Sequence, residues 1–518
     1  MIRSFLTVSS GTLASRLLGF ARDAMIAALL GASAAADAFL VAFQLVNVVR
    51  RLLSEGALNV ALVPAWLNVR DAGGPVAAAA FAGRVLGTVS AALVAASVVI
   101  GLIMPLVVGI LAPGFVGQAA LQFAVDDARL MLPYLAFAGP VTVMMALLNA
   151  QGRFALTAFS PLLFNLALIA VMIALLGLRL DAIDAALAIA ATVGIAGLFQ
   201  LLMLALRGGG AATPLRVAFD GEMRAFLRKA IPGMIASAGP QWLIVAGAII
   251  ASSSPSAVSW LYFANRLIEL PLGIVGVAMG TVLVPELTRA LRHDDRTTMA
   301  HVESRGLELA VGLALPATLG LIALNQPIVR MLFEHGLFTS TDTLGTANAL
   351  VWLALGLPAN VLAKALSPAF FAREDTMTPL WATLKGAAVA IVAAFVLGRL
   401  FGAGGIAAAI AMGAWSSALS LIRRGAATFG FSIDAEAQRR LPRIVLAAFA
   451  MGALLWLVAH VMLAPAGHLQ GAAQALVLLV LIAGGIGIYA LALAKFGVIA
   501  WRQALDAIKS RPPNDLRA

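Results

Sequence analysis

The chain alternates long apolar runs with short stretches of glycine, proline and charge, and the pattern continues almost to its end. Most runs reach or exceed the roughly 20 residues that a helix needs to cross about 30 Å of hydrocarbon. Segments such as Val85 to Leu111 and Ala473 to Ala494 are continuously apolar, which excludes the alternating strands of a membrane barrel. Backbone groups facing lipid must be satisfied within their own segment, so these runs predict helices. Spans are expected over residues 7–30, 35–64, 80–111, 124–150, 157–178, 183–206, 226–251, 257–287, 304–325, 345–371, 378–399, 404–422, 441–463 and 472–495. The expected fold class is all-α: a polytopic membrane protein of about 14 transmembrane helices.

Composition agrees with the pattern. Hydrophobic residues make up 62% of the 518 positions and charged residues 11%, against about 25% charged in a soluble domain. A water-soluble fold is excluded. The net charge of +11 would suit nucleic acid, but the basic residues sit in short loops between spans, so no nucleic-acid partner is expected and the phospholipid bilayer is. With a cytoplasmic N-terminus, most of the 35 Lys and Arg fall in cytoplasmic loops and tails, among them Arg207, Arg216, Arg224, Arg228, Arg423, Arg424, Arg439 and Arg440. Arg179, Arg330 and Arg399 fall on the other side, so both termini are expected in the cytoplasm. The segment Met1 to Thr7 leads into a span bearing Arg16, Arg22 and Asp23, unlike the uncharged core of a secretory signal. It is read as a retained first helix.

Cysteine is absent and the five histidines are scattered, with no H-E-x-x-H zinc pair and no phosphate-binding G-x-x-x-x-G-K-[ST] loop. Thiolate chemistry and P-loop ATP hydrolysis are excluded. No cofactor is expected, and the chain is not expected to be an enzyme.

An internal repeat emerges on shifting the chain by about 220 positions. Ala36 to Ala65 lies against Ala257 to Glu286, and Phe154-Ala155 with Ser160-Pro161-Leu162 against Phe371-Ala372 with Thr378-Pro379-Leu380. An even number of helices separates the copies, so two lobes inserted the same way up are expected. They comprise residues 1–215 and 216–437, followed by a helix pair and cytoplasmic tail over 438–518.

Charges inside the spans need a reason, since each costs about 2.5–3.5 kcal/mol at the bilayer centre on insertion scales. Arg16 and Asp23 are seven residues apart, nearly one face of the first helix, with Arg22 to the side. The second helix carries Asp37, Asn47, Arg50, Arg51 and Glu55, and its repeat partner carries Asn265, Arg266 and Glu269. If the lobes face each other, these helices line an arginine-rich cavity suited to a phosphorylated ligand, because guanidinium groups grip phosphate through paired, charge-assisted hydrogen bonds. The alternative is that Arg22–Asp23 and Arg266–Glu269 are compensated pairs and that Arg50 and Arg51 snorkel to an interface. Lys364 faces the same choice.

Three segments carry a resemblance: Ser15-Arg16-Leu17-Leu18-Gly19-Phe20-Ala21-Arg22-Asp23, Ala36-Asp37-Ala38-Phe39-Leu40-Val41-Ala42-Phe43 and Asn47-Val48-Val49-Arg50-Arg51-Leu52-Leu53-Ser54-Glu55-Gly56-Ala57. They closely resemble the opening of the MurJ (MviN) family of lipid II flippases, of the multidrug/oligosaccharidyl-lipid/polysaccharide exporter superfamily. Agreement continues through Val63-Pro64, Ala112-Pro113-Gly114-Phe115, Ser259-Trp260-Leu261-Tyr262 and Arg373 with Asp375, Thr378 and Pro379. The resemblance implies two six-helix lobes around a cavity, with two C-terminal helices forming a hydrophobic groove. It implies that Arg16, Arg22, Arg50 and Arg266 are substrate-binding arginines with Asp23, Asp37, Asn47, Ser259 and Glu269 nearby. It further implies alternating access driven by the membrane potential, a coupling cation in some members, lipid II as the substrate, the bacterial inner membrane as the location and the cell-wall synthesis machinery as a partner.

The chain departs from the family where a Lys and a Pro are common, at Gln44-Leu45-Val46-Asn47, and where an Asp is common, at Asn265. Losing that acid puts a cation site using it in doubt. Rival readings are a polysaccharide-lipid flippase, a drug/cation antiporter, and a membrane-embedded glycosyl- or phosphotransferase. The antiporter should bury acids without excess arginine. The transferase should present acidic clusters in sizeable loops, which the short loops here lack.

Overall fold

The structure, a computed structural model, describes residues 2–54, 57–178, 180–208, 215–237, 239–278, 296–371, 373, 375–429, 434–463 and 471–498. Glu55, the Val282 to Glu286 end of the repeat and the tail from residue 499 lie outside the described residues, as does the side chain of Arg51.

Among the described residues the regular structure is helical: α1 (Ile2–Leu30), α2 (Ala34–Ser54), α3 (Ala57–Leu102), α4 (Met104–Leu111), α5 (Ala119–Ala150), α6 (Phe154–Leu178), α7 (Ala182–Gly208) and α8 (Gly221–Ser237). Then follow α9 (Gly239–Ala251), α10 (Ala257–Ala278), α11 (Arg296–Ala323), α12 (Asn325–Phe333), α13 (Ser340–Phe371), α14 (Met377–Phe429), α15 (Ala435–Leu463) and α16 (Ala472–Lys495). Nine of these are long and apolar enough to cross a membrane. The chain is a multi-pass membrane protein.

Two of the helices are longer than any bilayer requires, and each is broken at a glycine. Gly74 in α3 has φ 76° and Gly402 in α14 has φ 56°, a left-handed conformation that glycine adopts without steric penalty. The expected spans 378–399 and 404–422 are therefore the two arms of α14. The expected span 80–111 is interrupted instead: α3 stops at Leu102 and α4 restarts at Met104 with Pro105 in its first turn. Proline lacks an N–H and is tolerated there, where no intrahelical partner exists.

Helix boundaries carry the repeat. Starts at Ala34, Ala119 and Phe154 recur at Ala257, Ser340 and Met377, and ends at Leu102, Ala150 and Gly208 recur at Ala323, Phe371 and Phe429, always about 220 positions on. The short helix α4 has its counterpart in α12.

The chain forms two compact units: Met1–Phe263 with Leu332–Thr346 and Ala390–Ala409, and Ala264–Met331 with Ala347–Val389 and Ile410–Ala518. In the first, α5 packs against α2, α3 and α7, burying Leu62, Phe81, Val85, Val143, Leu147 and Leu204 in one cluster. Gly194 and Gly197 of α7 let that helix approach Leu130, Tyr134 and Phe137 of α5 closely, the way small residues bring membrane helices together. In the second, α11 packs on α15, and the Tyr489 hydroxyl of α16 donates to the Gly312 carbonyl at 2.8 Å.

Candidate functional site

Three turns of the first unit converge at one end of its helices. Gly31, φ 63°, reverses the chain between α1 and α2. A Cβ there would strike the Leu337 carbonyl, and a Cβ at Gly336 would strike that of Ala28. Because both are glycine, the main chains touch and the Leu337 N–H donates to Ala28 O at 2.8 Å. The third turn contributes Ser256, whose hydroxyl donates to Ala32 O at 2.5 Å. Close backbone contact of this kind fixes the ends of α1, α2, α10 and α13 as one block.

Asp37 and Ser259 lock that block. Both are buried, and Asp37 Oδ1 accepts the Ser259 main-chain N–H at 2.8 Å and its hydroxyl at 2.5 Å. The first N–H groups of a helix have no intrahelical acceptor, so Asp37 acts as an N-terminal cap for α10 supplied from α2. The positive end of the α10 dipole favours that carboxylate. One residue on, Trp260 Nε1 donates to Asp342 Oδ1 at 3.3 Å, while Asp342 Oδ2 accepts from the Thr339 N–H and hydroxyl at 2.9 and 2.8 Å.

One turn along α10, the Tyr262 hydroxyl donates to Asp23 Oδ1 at 3.2 Å. The same oxygen accepts from Arg22 Nε at 2.8 Å and Nη2 at 2.6 Å. Arg22 is 5% exposed and Asp23 0%, so a formal ion pair is enclosed within the fold. Such a pair offsets its desolvation only when the remaining donors are satisfied. Arg22 Nη1 donates to Asn165 Oδ1 at 3.1 Å, and Asn165 Nδ2 donates to Ser15 O at 3.1 Å. The guanidinium also lies 5.0 Å from the Phe43 ring and 5.9 Å from that of Phe164, within cation–π range.

Arg50, half-buried on α2, places its guanidinium 5.8 Å from the same Phe164 ring, and its Nη2 donates to Asn47 Oδ1 at 3.2 Å. In the second unit, Arg266 Nη1 pairs with Glu269 Oε2 at 2.8 Å, and Asn265 Nδ2 reaches Glu269 Oε1 at 3.5 Å. That pair is partly open, with side chains 21% and 27% exposed.

Helical spacing puts Arg16 and Asp23 on nearly one face of α1 with Arg22 to the side, and the side chains then separate the two arginines. Arg22 turns inward to Asp23, and Arg16 is exposed beside Leu13 and Leu17, also exposed. Helical spacing alone ignores that a buried carboxylate takes the nearest cation able to reach it. The compensated-pair alternative describes Arg22–Asp23 and Arg266–Glu269. Lys364 is exposed on α13. Asn165, Phe43 and Phe164 were missed as site residues, although Asn165 is the one amide in the apolar run of α6 after Pro161. Tyr262, one of three tyrosines in the chain, was noted only as part of a motif.

Comparison with known proteins decides the family. The family model described as "Lipid II flippase MurJ" matches residues 26–470.

The chain belongs to the MurJ family.

A "Probable lipid II flippase MurJ" of Rhizobium meliloti (strain 1021) is 37% identical over 94% of this chain and 92% of its own length. The "Lipid II flippase MurJ" of Burkholderia cenocepacia is 33% identical over 81% and 83%. Among solved structures, "Lipid II flippase MurJ, inward closed conformation" superposes with a TM-score of 0.80 at 22% identity, over 96% of this chain and all of that one. An inward-facing multidrug resistance MATE family transporter of the MOP superfamily follows at 0.66 and 16% identity, over 85% and 98%. At those identities the superpositions speak for the fold alone.

A coupling cation needs converging acidic oxygens. Among the described residues no group of three or more His, Cys, Asp or Glu is placed to hold a metal ion, and Asp23 and Asp37 already receive N–H and O–H donors.

Proposed function

We propose that this chain is a lipid II flippase, moving the undecaprenyl-diphosphate-linked peptidoglycan precursor from the cytoplasmic to the periplasmic leaflet of the bacterial inner membrane. Membership of the MurJ family supports the substrate. The observation that carries the mechanism is the Arg22–Asp23–Tyr262 contact, which ties α1 to α10 through a buried charge. No covalent step is required, so the activity is transport rather than catalysis.

With both termini cytoplasmic, the Asp37–Ser259 end of the helices is periplasmic. The closed turns there are then an outer gate, and the substrate is taken up from the cytoplasmic side by alternating access of the lobes 1–215 and 216–437. Of the four candidate arginines, Arg16, Arg50 and Arg266 have accessible surface and supply charge-assisted hydrogen bonds to the diphosphate. Arg22 joins them only by leaving Asp23, an exchange of one anion for another that couples binding to release of Tyr262 and hence of α10. The polyprenyl tail lies along the helix pair α15 and α16. The membrane potential drives the cycle if charge moves across the field, at about 2.3 kcal/mol per charge per 100 mV.

Depletion in the native organism, followed by an assay of lipid II accessible from the periplasm, tests the reading. Loss of accessible lipid II supports it, and undiminished translocation overturns it in favour of another lipid-linked substrate.

A further inference from the structure

The segment that joins α7 to α8 is clamped onto α3. The Arg216 N–H faces Gly83 O at 3.4 Å, and Thr88 Oγ1 both accepts from the Ala218 N–H and donates to the Ala218 carbonyl, each at 3.1 Å. Gly83 and Thr88 are separated by about 7.5 Å of helix rise. Two residues bridge that distance only when extended, at about 3.4 Å each. Thr88 is buried, and a Cβ at Gly87 would strike the Arg216 backbone, so α3 is shaped to receive this main chain.

Extended backbone sends alternate side chains the same way. Leu215, Val217 and Phe219 are 64%, 58% and 64% exposed. Three large apolar side chains in a row of alternate positions, outside the spans, would be costly in water. Arg216, Arg224 and Arg228 beside them are exposed as well. The neighbouring acids are occupied: Arg84 lies 3.4 Å from Asp220 and pairs with Glu222, while Asp220 Oδ1 caps α8 at the Met223 N–H, 2.9 Å away. What remains is an apolar ridge with cationic flanks, the composition that binds an anionic lipid surface.

We propose that residues 215–219 form an interfacial strap. Its main chain is held by Gly83 and Thr88, and Leu215, Val217 and Phe219 rest in the headgroup–acyl boundary of an anionic leaflet while Arg216, Arg224 and Arg228 meet lipid phosphate. The strap sets the membrane depth at which α8 begins. The occupant is lipid rather than protein because the ridge is narrow, follows the candidate span Ala182–Leu206 in sequence and carries charge complementary to phospholipid.

The chain has no cysteine, so single Val217→Cys and Phe219→Cys variants of the full protein accept one environment-sensitive fluorophore each. In nanodiscs of phosphatidylcholine with phosphatidylglycerol, both labels should emit in the blue-shifted range and be quenched several-fold more by shallow nitroxide lipids than by aqueous iodide. Iodide quenching in excess of lipid quenching at both positions would overturn the proposal. Omitting phosphatidylglycerol, or combining Arg216→Gln, Arg224→Gln and Arg228→Gln, should reduce lipid quenching, and no change in either arm would overturn the role of anionic lipid. The isosteric Thr88→Val should shift the label carried by the Val217→Cys variant toward iodide, whereas an unchanged label would overturn the clamp.

Discussion

Asp37 on α2 holds both the main-chain N–H and the hydroxyl of Ser259 on α10, and through that one carboxylate oxygen two helices far apart in sequence share a terminus. The bond is enclosed, so neither partner has water to turn to. Ser259→Ala removes the shorter contact and Asp37→Asn the charge, each expected to weaken the junction by about 1–3 kcal/mol. A cysteine introduced by Ala36→Cys, at a position wholly buried in the closed arrangement, should then react with an impermeant maleimide several-fold faster than in the parent. Equal rates would show that the contact does not hold this end shut.

The Arg22–Asp23 pair sets a different test. Truncating one member of a buried ion pair leaves the other charge uncompensated, at a cost of about 3–5 kcal/mol, while replacing both can restore stability. Arg22→Ala should therefore lower the melting temperature in detergent markedly, and Arg22→Met with Asp23→Leu should recover most of it. Transport should remain absent in both. A double variant that is stable and supports growth as sole copy would reduce the pair to packing.

In the second unit, pH acts on the start of α15. Asp434 accepts the Ala437 N–H at 2.7 Å and lies 3.0 Å from His301 Nδ1. The main-chain hydrogen bond first, and then His301 and Arg305, hold its carboxyl below the ordinary value of 3.8. A depressed carboxylate contributes stability that is complete above that ordinary value and is lost as pH falls through the lower folded value. Protection of the Ala437 and Gln438 amides, measured against their intrinsic exchange rates at each pH, should fall on acidification below about pH 4, the range in which an unperturbed aspartate protonates. Asp434→Ala should raise the exchange rate at neutral pH and abolish the acid dependence, with about 1 kcal/mol lost at the helix cap. Acid dependence that survives this substitution would assign the effect to another group.

The helical class was legible because the physics of the bilayer leaves little choice: a run such as Ala473 to Ala494 has only one way to satisfy its backbone. The repeat was legible for the same reason that the helix boundaries recur, since Ser160-Pro161 and Thr378-Pro379 punctuate equivalent helices. The interruption at Ile103 was not, because Met104-Pro105 begins a helix and ends none, and hydropathy does not fall there. The charged residues were found by type, and the pairs Arg22–Asp23 and Arg266–Glu269 were found as one of two readings. Which of Arg16 and Arg22 meets Asp23 depends on side-chain reach and on Asn165, 143 positions away. Ser259 and Tyr262 were visible as a motif, yet their acceptors lie on other helices, and only tertiary packing connects them.

The account stands on arginine side chains that hold a lipid-linked diphosphate. Purified protein in nanodiscs, titrated with lipid II and separately with undecaprenyl monophosphate, measures this directly for the parent and for Arg16→Ala, Arg50→Ala and Arg266→Ala. Each lost pair of charge-assisted bonds is worth about 1.5–3 kcal/mol, so each variant should bind lipid II at least about tenfold more weakly while inserting normally, and the monophosphate should respond less. Unchanged lipid II affinity in all three variants would contradict the account.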